Sequence, residues 1–168
     1  MTHLWLRAEH RSDERRVGLT PDGAKTLIDA GFQVTVEESD TRVFPAVDYA
    51  AKGCSIAAPG SWATAPETAF VFGLKELPKT TGPLRHRHIM FGHAFKGQGA
   101  GLDLLARFKA GGGTLYDLEY LTDANGRRLA AFGYWAGFVG AAASCLTWAA
   151  QAHGTRLAAF TEWADQDT

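Results

Sequence analysis

The chain is short of cysteine: there are two in 168 residues, Cys54 and Cys145, far apart and in no CxxC pattern. A disulfide framework is excluded, and both cysteines read as reduced, buried, small apolar residues. Charge of one sign is also scarce. The formal net charge is −1, without a block of like charge, so the composition implies neither a nucleic-acid nor a membrane partner. A signal-peptide pattern is missing, because Arg7 and Glu9 interrupt the first apolar run; the expected compartment is the cytoplasm. One stretch, Leu129 to Ala150, holds no charged residue and reaches the length of a membrane span, about 20 residues. It is mostly Ala and Gly with Tyr, Trp, Ser and Thr, and Phe132-Gly133 punctuates it, so it reads as a buried helix. A dinucleotide fingerprint is lacking too. Gly97–Gly101 and Gly111–Gly113 are the glycine-rich candidates, and neither has the GxGxxG spacing or the acidic residue that should follow on a second strand.

What is present is enough apolar sequence for one domain with a real core, expected over 1–168. Leu4-Trp5-Leu6 reads as a first strand, and Arg7–Arg16 as a polar loop whose arginines suit a carboxylate. Thr20-Pro21 opens a helix with an N-cap and a first-turn proline, and Gly31 stops it. Phe32–Glu37 alternates as a second strand. Val47–Lys52 reads as a short helix and Cys54–Ala57 as a third strand. Ala69–Gly73 and Ile89–Gly92 are two more strands, joined by a link containing Pro78 and Pro83. A helix over Leu102–Ala110 and a strand over Thr114–Tyr116 follow. Asn125-Gly126 signals a hairpin between Leu118–Leu121 and Arg128–Phe132, and a long Ala/Gly-rich helix is expected over about 134–152. The expected fold class is therefore α/β: a three-layer, mostly parallel sheet with flanking helices, Rossmann-like but without the fingerprint, plus a small β-hairpin.

Two strand ends carry proton-active side chains. Lys75 and Glu76 follow Ala69–Gly73, and His93 follows Ile89–Gly92. Ligands of open α/β sheets sit at such carboxyl ends. A free lysine titrates at about 10.4, so it needs burial or a nearby cation to act as a base near neutrality, and Glu76 or Glu119 close by would oppose that. Histidine is the natural proton carrier there. Taken singly, a Lys–Glu pair after a strand is a surface pair and a lone histidine is structural. His86 and His88 alternate on one segment but lack a third ligand, so no metal site is expected. Arg127-Arg128, just past the turn, suits either solvent or the carboxylates and phosphates of a ligand.

Together, several ordered blocks resemble the N-terminal domain of NAD-dependent, lysine-forming saccharopine dehydrogenase, which belongs with alanine dehydrogenase and the transhydrogenase N-terminal domain. The blocks are Leu6–Glu9, Arg16–Pro21, Gly60–Trp62, Gly73–Pro78, His93–Gln98, Gly113–Glu119, Gly126–Arg128, Ala130–Tyr134 and Ala136-Gly137. The resemblance implies that Lys75 is the base taking the amine proton of saccharopine, and that His93 serves imine hydrolysis. It implies that Arg16 and Arg128 hold substrate carboxylates, with Gln98 and Phe132 lining the pocket. Arg127 would reach the NAD cofactor, and Glu76 and Glu119 would tune the acid–base groups. Members of that family continue through a nucleotide-binding domain that is absent here. Two readings follow: the acid–base part of an enzyme, either a fragment or one subunit of a split dehydrogenase whose partner brings the nucleotide-binding domain, or a non-catalytic remnant or binding protein that holds a dicarboxylate amino acid. The 134–152 helix is expected to mediate self-association.

Overall fold

A computed structural model describes residues 1–78, 82–95, 97, 99–131 and 133–159. In chain order the elements are β1 (His3–Leu6), α1 (Pro21–Asp29), β2 (Gln33–Glu37), α2 (Ala46–Ala51), β3 (Ser55–Ala57), β4 (Phe70–Phe72), β5 (Arg87–Met90), α3 (Gly99–Gly111), β6 (Thr114–Asp117) and α4 (Tyr134–Ala152). Short 3-10 turns occupy Ser61–Thr64 and Leu118–Tyr120. The chain divides into two units, Met1–Ala130 and Ala131–Thr168.

The first unit is built on a six-stranded sheet of order β3-β2-β1-β4-β5-β6, in which every pair is parallel. Register fixes what each face carries, because in-register neighbours project to the same side. The row Val36, Leu6, Phe72, Ile89, Tyr116 alternates with the row Thr35, Trp5, Val71, His88, Leu115. Leu6, Val34 and Val36 bury against Ala24, Tyr49 and Cys54 in one cluster. Met90 buries with Leu77, Leu84, Leu104 and Phe108 of the α3 side in another. The order turns back between β1 and β4, so right-handed crossovers place α1 and α2 on one face and α3 on the other. The β1/β4 boundary is thus the switch point of the sheet.

Thr20 caps α1 by accepting from the Gly23 N–H at 3.1 Å, with Pro21 in the first turn. Gly31 follows with φ +89°, the left-handed region that glycine tolerates. Three expectations shift. The strand expected at Ile89–Gly92 starts earlier, at Arg87, so His88 lies within the sheet. The hairpin reduces to a single antiparallel bridge, Thr122 with Arg128. Its first arm winds into the 3-10 turn because Asp117 caps the Glu119 N–H at 3.0 Å. Cys54 is buried as expected, whereas Cys145 on α4 is exposed.

None of the residues of α4 is buried, which corrects the expectation of a buried helix over this uncharged stretch. It runs for 19 residues without a charged side chain. Ser144 and Thr147 turn their hydroxyls back to the carbonyls of Gly140 and Ala143, at 2.8 and 2.7 Å. Among the described residues no helix is long and apolar enough to cross a membrane.

Candidate active site

The sheet delivers two adjacent tips. β4 and β5 are hydrogen-bonded neighbours, and their pairing continues past the strands through Gly73 N–H to Ile89 O at 3.0 Å and Phe91 N–H to Leu74 O at 3.1 Å. Lys75 and His93 therefore leave the same edge of the sheet from neighbouring tips. Both are half-buried, neither sealed beneath apolar side chains.

Strand tips leave backbone N–H groups without ladder partners, and buried ones must find an acceptor. Here carboxylates take them. Glu37, fully buried at the end of β2, accepts from Ala8 N and Gly60 N, both at 2.9 Å, from Trp62 N at 2.6 Å and from the Trp5 indole at 3.0 Å. Glu9, past β1, accepts from Leu74 N at 2.6 Å and Lys75 N at 3.0 Å. Arg7, 2% exposed, pairs with Glu9 at 3.3 Å and donates from Nη2 to the Lys75 carbonyl. The Lys75 peptide is thus held at its N–H and its C=O by one buried ion pair. Burial pushes the Arg7 guanidinium down from its usual range, and Glu9 opposes the shift. Gly73 makes room for this: a Cβ there would collide with the Arg7 guanidinium.

Around Lys75 the charges are arranged in pairs. Arg16 meets Glu14 through two bonds, Nε to Oε1 at 2.7 Å and Nη2 to Oε2 at 2.5 Å. Those bonds hold the Glu14 carboxyl below the usual carboxylate range, and the Lys75 charge lowers it further. Burial pushes Glu76 up, but its 2.5 Å bond from Arg11, a backbone hydrogen bond and the Arg11 and Lys75 charges together leave it below the ordinary value.

Around His93 the second cluster forms. Glu119 lies 3.6 Å from His93 Nδ1 through Oε2 and 3.2 Å from Arg128 Nη1 through Oε1. Arg128 also donates to Ala130 O at 3.2 Å. His93 sits at φ +49°, a left-handed conformation uncommon for a residue with a side chain. A cleft of about 720 Å³ opens beside both tips, lined by Glu76, Gly92, Asp103 and Arg107 with Leu77 and Met90.

Of the residues expected from sequence, Lys75, Glu76 and Arg16 share the first cluster, and His93, Glu119 and Arg128 the second. Arg127 is exposed on the turn, its backbone N–H bonded to Asp123 Oδ1 at 2.9 Å. Gln98 and Phe132 lie outside the described residues. Among the described residues no group of three or more His, Cys, Asp or Glu side chains is placed to hold a metal. Glu9, Glu14 and Asp117 are not among the residues expected from sequence. The run after β1 reads as a polar loop whose arginines suit a carboxylate, and there Arg7 and Arg16 hold Glu9 and Glu14.

The family described as alanine dehydrogenase/PNT, N-terminal domain, matches residues 5–139. Saccharopine dehydrogenase [NAD(+), L-lysine-forming] of Schizosaccharomyces pombe is 53% identical over 150 residues, covering 89% of this chain and 41% of that protein. The same-named protein of Yarrowia lipolytica is 52% identical, over 88% of this chain and 40% of its own. The chain thus spans about two fifths of the length of these curated relatives. The solved structure of an L-alanine dehydrogenase superposes with a TM-score of 0.58 at 21% identity, covering 74% of this chain and 34% of that one, which is a likeness of fold.

Proposed function

The chain belongs to the alanine dehydrogenase/PNT N-terminal domain family, and from that premise we propose that it is the acid–base half of a saccharopine dehydrogenase of lysine metabolism. The overall reaction is saccharopine, NAD and water giving lysine, 2-oxoglutarate and NADH. The observation that supports this reading is the placement of Lys75 and His93 at the tips of neighbouring parallel strands, each inside a cluster containing an arginine and a carboxylate.

In this reading Lys75 takes the proton from the secondary amine of the substrate. His93 moves protons during attack of water on the imine carbon, with Glu119 Oε2 3.6 Å from its ring nitrogen. Arg128 and Arg16 bind the substrate carboxylates, for which the planar guanidinium suits two parallel bonds. Gln98 and Phe132 line the pocket. Glu76 and Glu119 tune the two proton carriers, and Arg127 contacts the cofactor.

The described residues do not themselves fit a dinucleotide. The strand-tip amides that would otherwise meet phosphate are taken by Glu9 and Glu37, whose charge repels a pyrophosphate, and the glycine fingerprint is lacking. NAD is therefore assigned to a nucleotide-binding part outside these residues, and α4, uncharged along its whole length, is the surface assigned to that part or to a second copy.

Calorimetric titration with saccharopine, lysine and 2-oxoglutarate tests the site without the cofactor. Saturable binding that Arg128→Ala abolishes is expected. Absence of heat with all three ligands overturns the reading.

A further inference from the structure

We propose that Asp117 is a positioning residue that sets the geometry of the His93–Glu119 pair by holding both of their strand tips on one carboxylate oxygen. The proposal deepens the acid–base reading of His93 and rests on it for its catalytic consequence.

Asp117 closes β6, directly beside the end of β5, where Met90 is its in-register partner. Its Oδ1 accepts the Gly92 N–H at 3.2 Å and the Glu119 N–H at 3.0 Å. The first amide belongs to the residue before His93, and the second belongs to Glu119 itself. One oxygen therefore ties together the two short segments whose side chains meet at 3.6 Å. An aspartate capping a 3-10 turn explains the second bond alone. It does not explain the first, which reaches across to another strand.

Two further observations point the same way. Gly92 leaves room for this approach: a Cβ there would stand 2.8 Å from Leu115 Cδ2 and 3.3 Å from Asp117 Oδ2, so one of these side chains would have to shift. His93 then holds φ +49°, a conformation that persists in a non-glycine residue only when its surroundings over-determine it. The bond from Gly92 to Asp117 is the restraint placed immediately before that residue. The other oxygen, Oδ2, is buried with no hydrogen-bond partner among the described residues. A carboxylate with one oxygen doubly occupied and the other unpartnered is an unfavourable arrangement for a purely structural cap.

The test compares Asp117→Ala with Asp117→Asn in the full chain. Asparagine keeps an acceptor oxygen and alanine does not. Amide hydrogen exchange is read by NMR at Gly92 and Glu119, with Leu6 and Met90 as core references, together with the ring-to-side-chain contact between His93 and Glu119. The expected result is at least tenfold faster exchange at Gly92 and Glu119 in Asp117→Ala, unchanged exchange at the references, loss of the contact, and recovery of both in Asp117→Asn. Exchange within twofold of wild type at the two amides overturns the proposal. So does acceleration spread evenly across the sheet. Should the alanine variant not fold, loss of protection at the two amides in Asp117→Asn overturns it and retention supports it. Turnover with a nucleotide-binding part supplies the catalytic arm: Asp117→Ala lowers kcat about tenfold or more with KM within about twofold. If wild type itself does not turn over, the acid–base reading fails, while the exchange measurements still decide the role of Asp117.

Discussion

Glu9 accepts the backbone N–H of Lys75 at 3.0 Å, across the switch point between β1 and β4. The contact joins a residue from the loop after the first strand to the lysine after the fourth. With Arg7 on the Lys75 carbonyl, it fixes where the side chain starts from while leaving that side chain half-buried. Sequence-distant charged residues thus set the main chain, and the main chain sets the chemistry.

Lys75→Met keeps the volume of the side chain and removes its proton. In a complemented enzyme it is expected to lower turnover by roughly 10²–10⁴, the usual scale of acid–base catalysis. Steady-state kinetics with saccharopine check it. A loss smaller than about threefold removes Lys75 from the mechanism.

Arg128→Ala removes a guanidinium that pairs with Glu119 at 3.2 Å. The expected effect falls on substrate binding, with KM raised about tenfold to a hundredfold, the range for losing a hydrogen bond to a charged group. An unchanged KM contradicts its place in the pocket.

Gly73→Ala pushes a methyl into the Arg7 guanidinium. Overpacking of this kind costs about 1–3 kcal/mol, and urea denaturation measures it. Gly99→Ala is the control, since a Cβ there meets nothing within 4 Å; it is expected to be neutral or stabilising.

His88 gives the fold a pH dependence. Its side chain is fully buried, packed edge-on against Trp62 and Phe108 at 5.2 and 5.4 Å, with both ring nitrogens unpartnered among the described residues. Burial pushes its pKa from 6.5 down to about 3, with His86, Arg7 and Arg107 adding to the shift. The unfolded chain therefore binds the proton first. Stability from this group is complete above pH 6.5 and is lost as pH falls toward 3, by about 1.4 kcal/mol per unit. Denaturation of wild type and His88→Leu at pH 7 and pH 5 checks it; equal pH slopes contradict it.

How far the sequence reveals this molecule differs between the fold and the site. The parallel sheet was legible because apolar runs such as Leu4–Leu6 and Val34–Val36 are bounded by clear stops at Thr20-Pro21 and Gly31. Lys75 and His93 were legible because each follows such a run. Glu9, Glu37 and Asp117 were not. Their role depends on which strands become neighbours, and the pairing of β1 with β4 joins residues more than sixty positions apart. The start of β5 lies earlier than the apolar run suggests for a related reason: His86 and His88 look polar, yet the first bonds Ala65 O at 2.9 Å and the second is enclosed by rings. The hairpin signal at Asn125-Gly126 gave a true turn but only one bridge, because Asp117 diverts the preceding segment into a 3-10 turn.

The most direct measurement is saccharopine-dependent formation of NADH by this chain mixed with the nucleotide-binding part of a saccharopine dehydrogenase. The account predicts turnover that requires both components and falls at least a hundredfold with Lys75→Met. No turnover above that of the nucleotide-binding part alone, or equal rates from wild type and Lys75→Met, contradicts it.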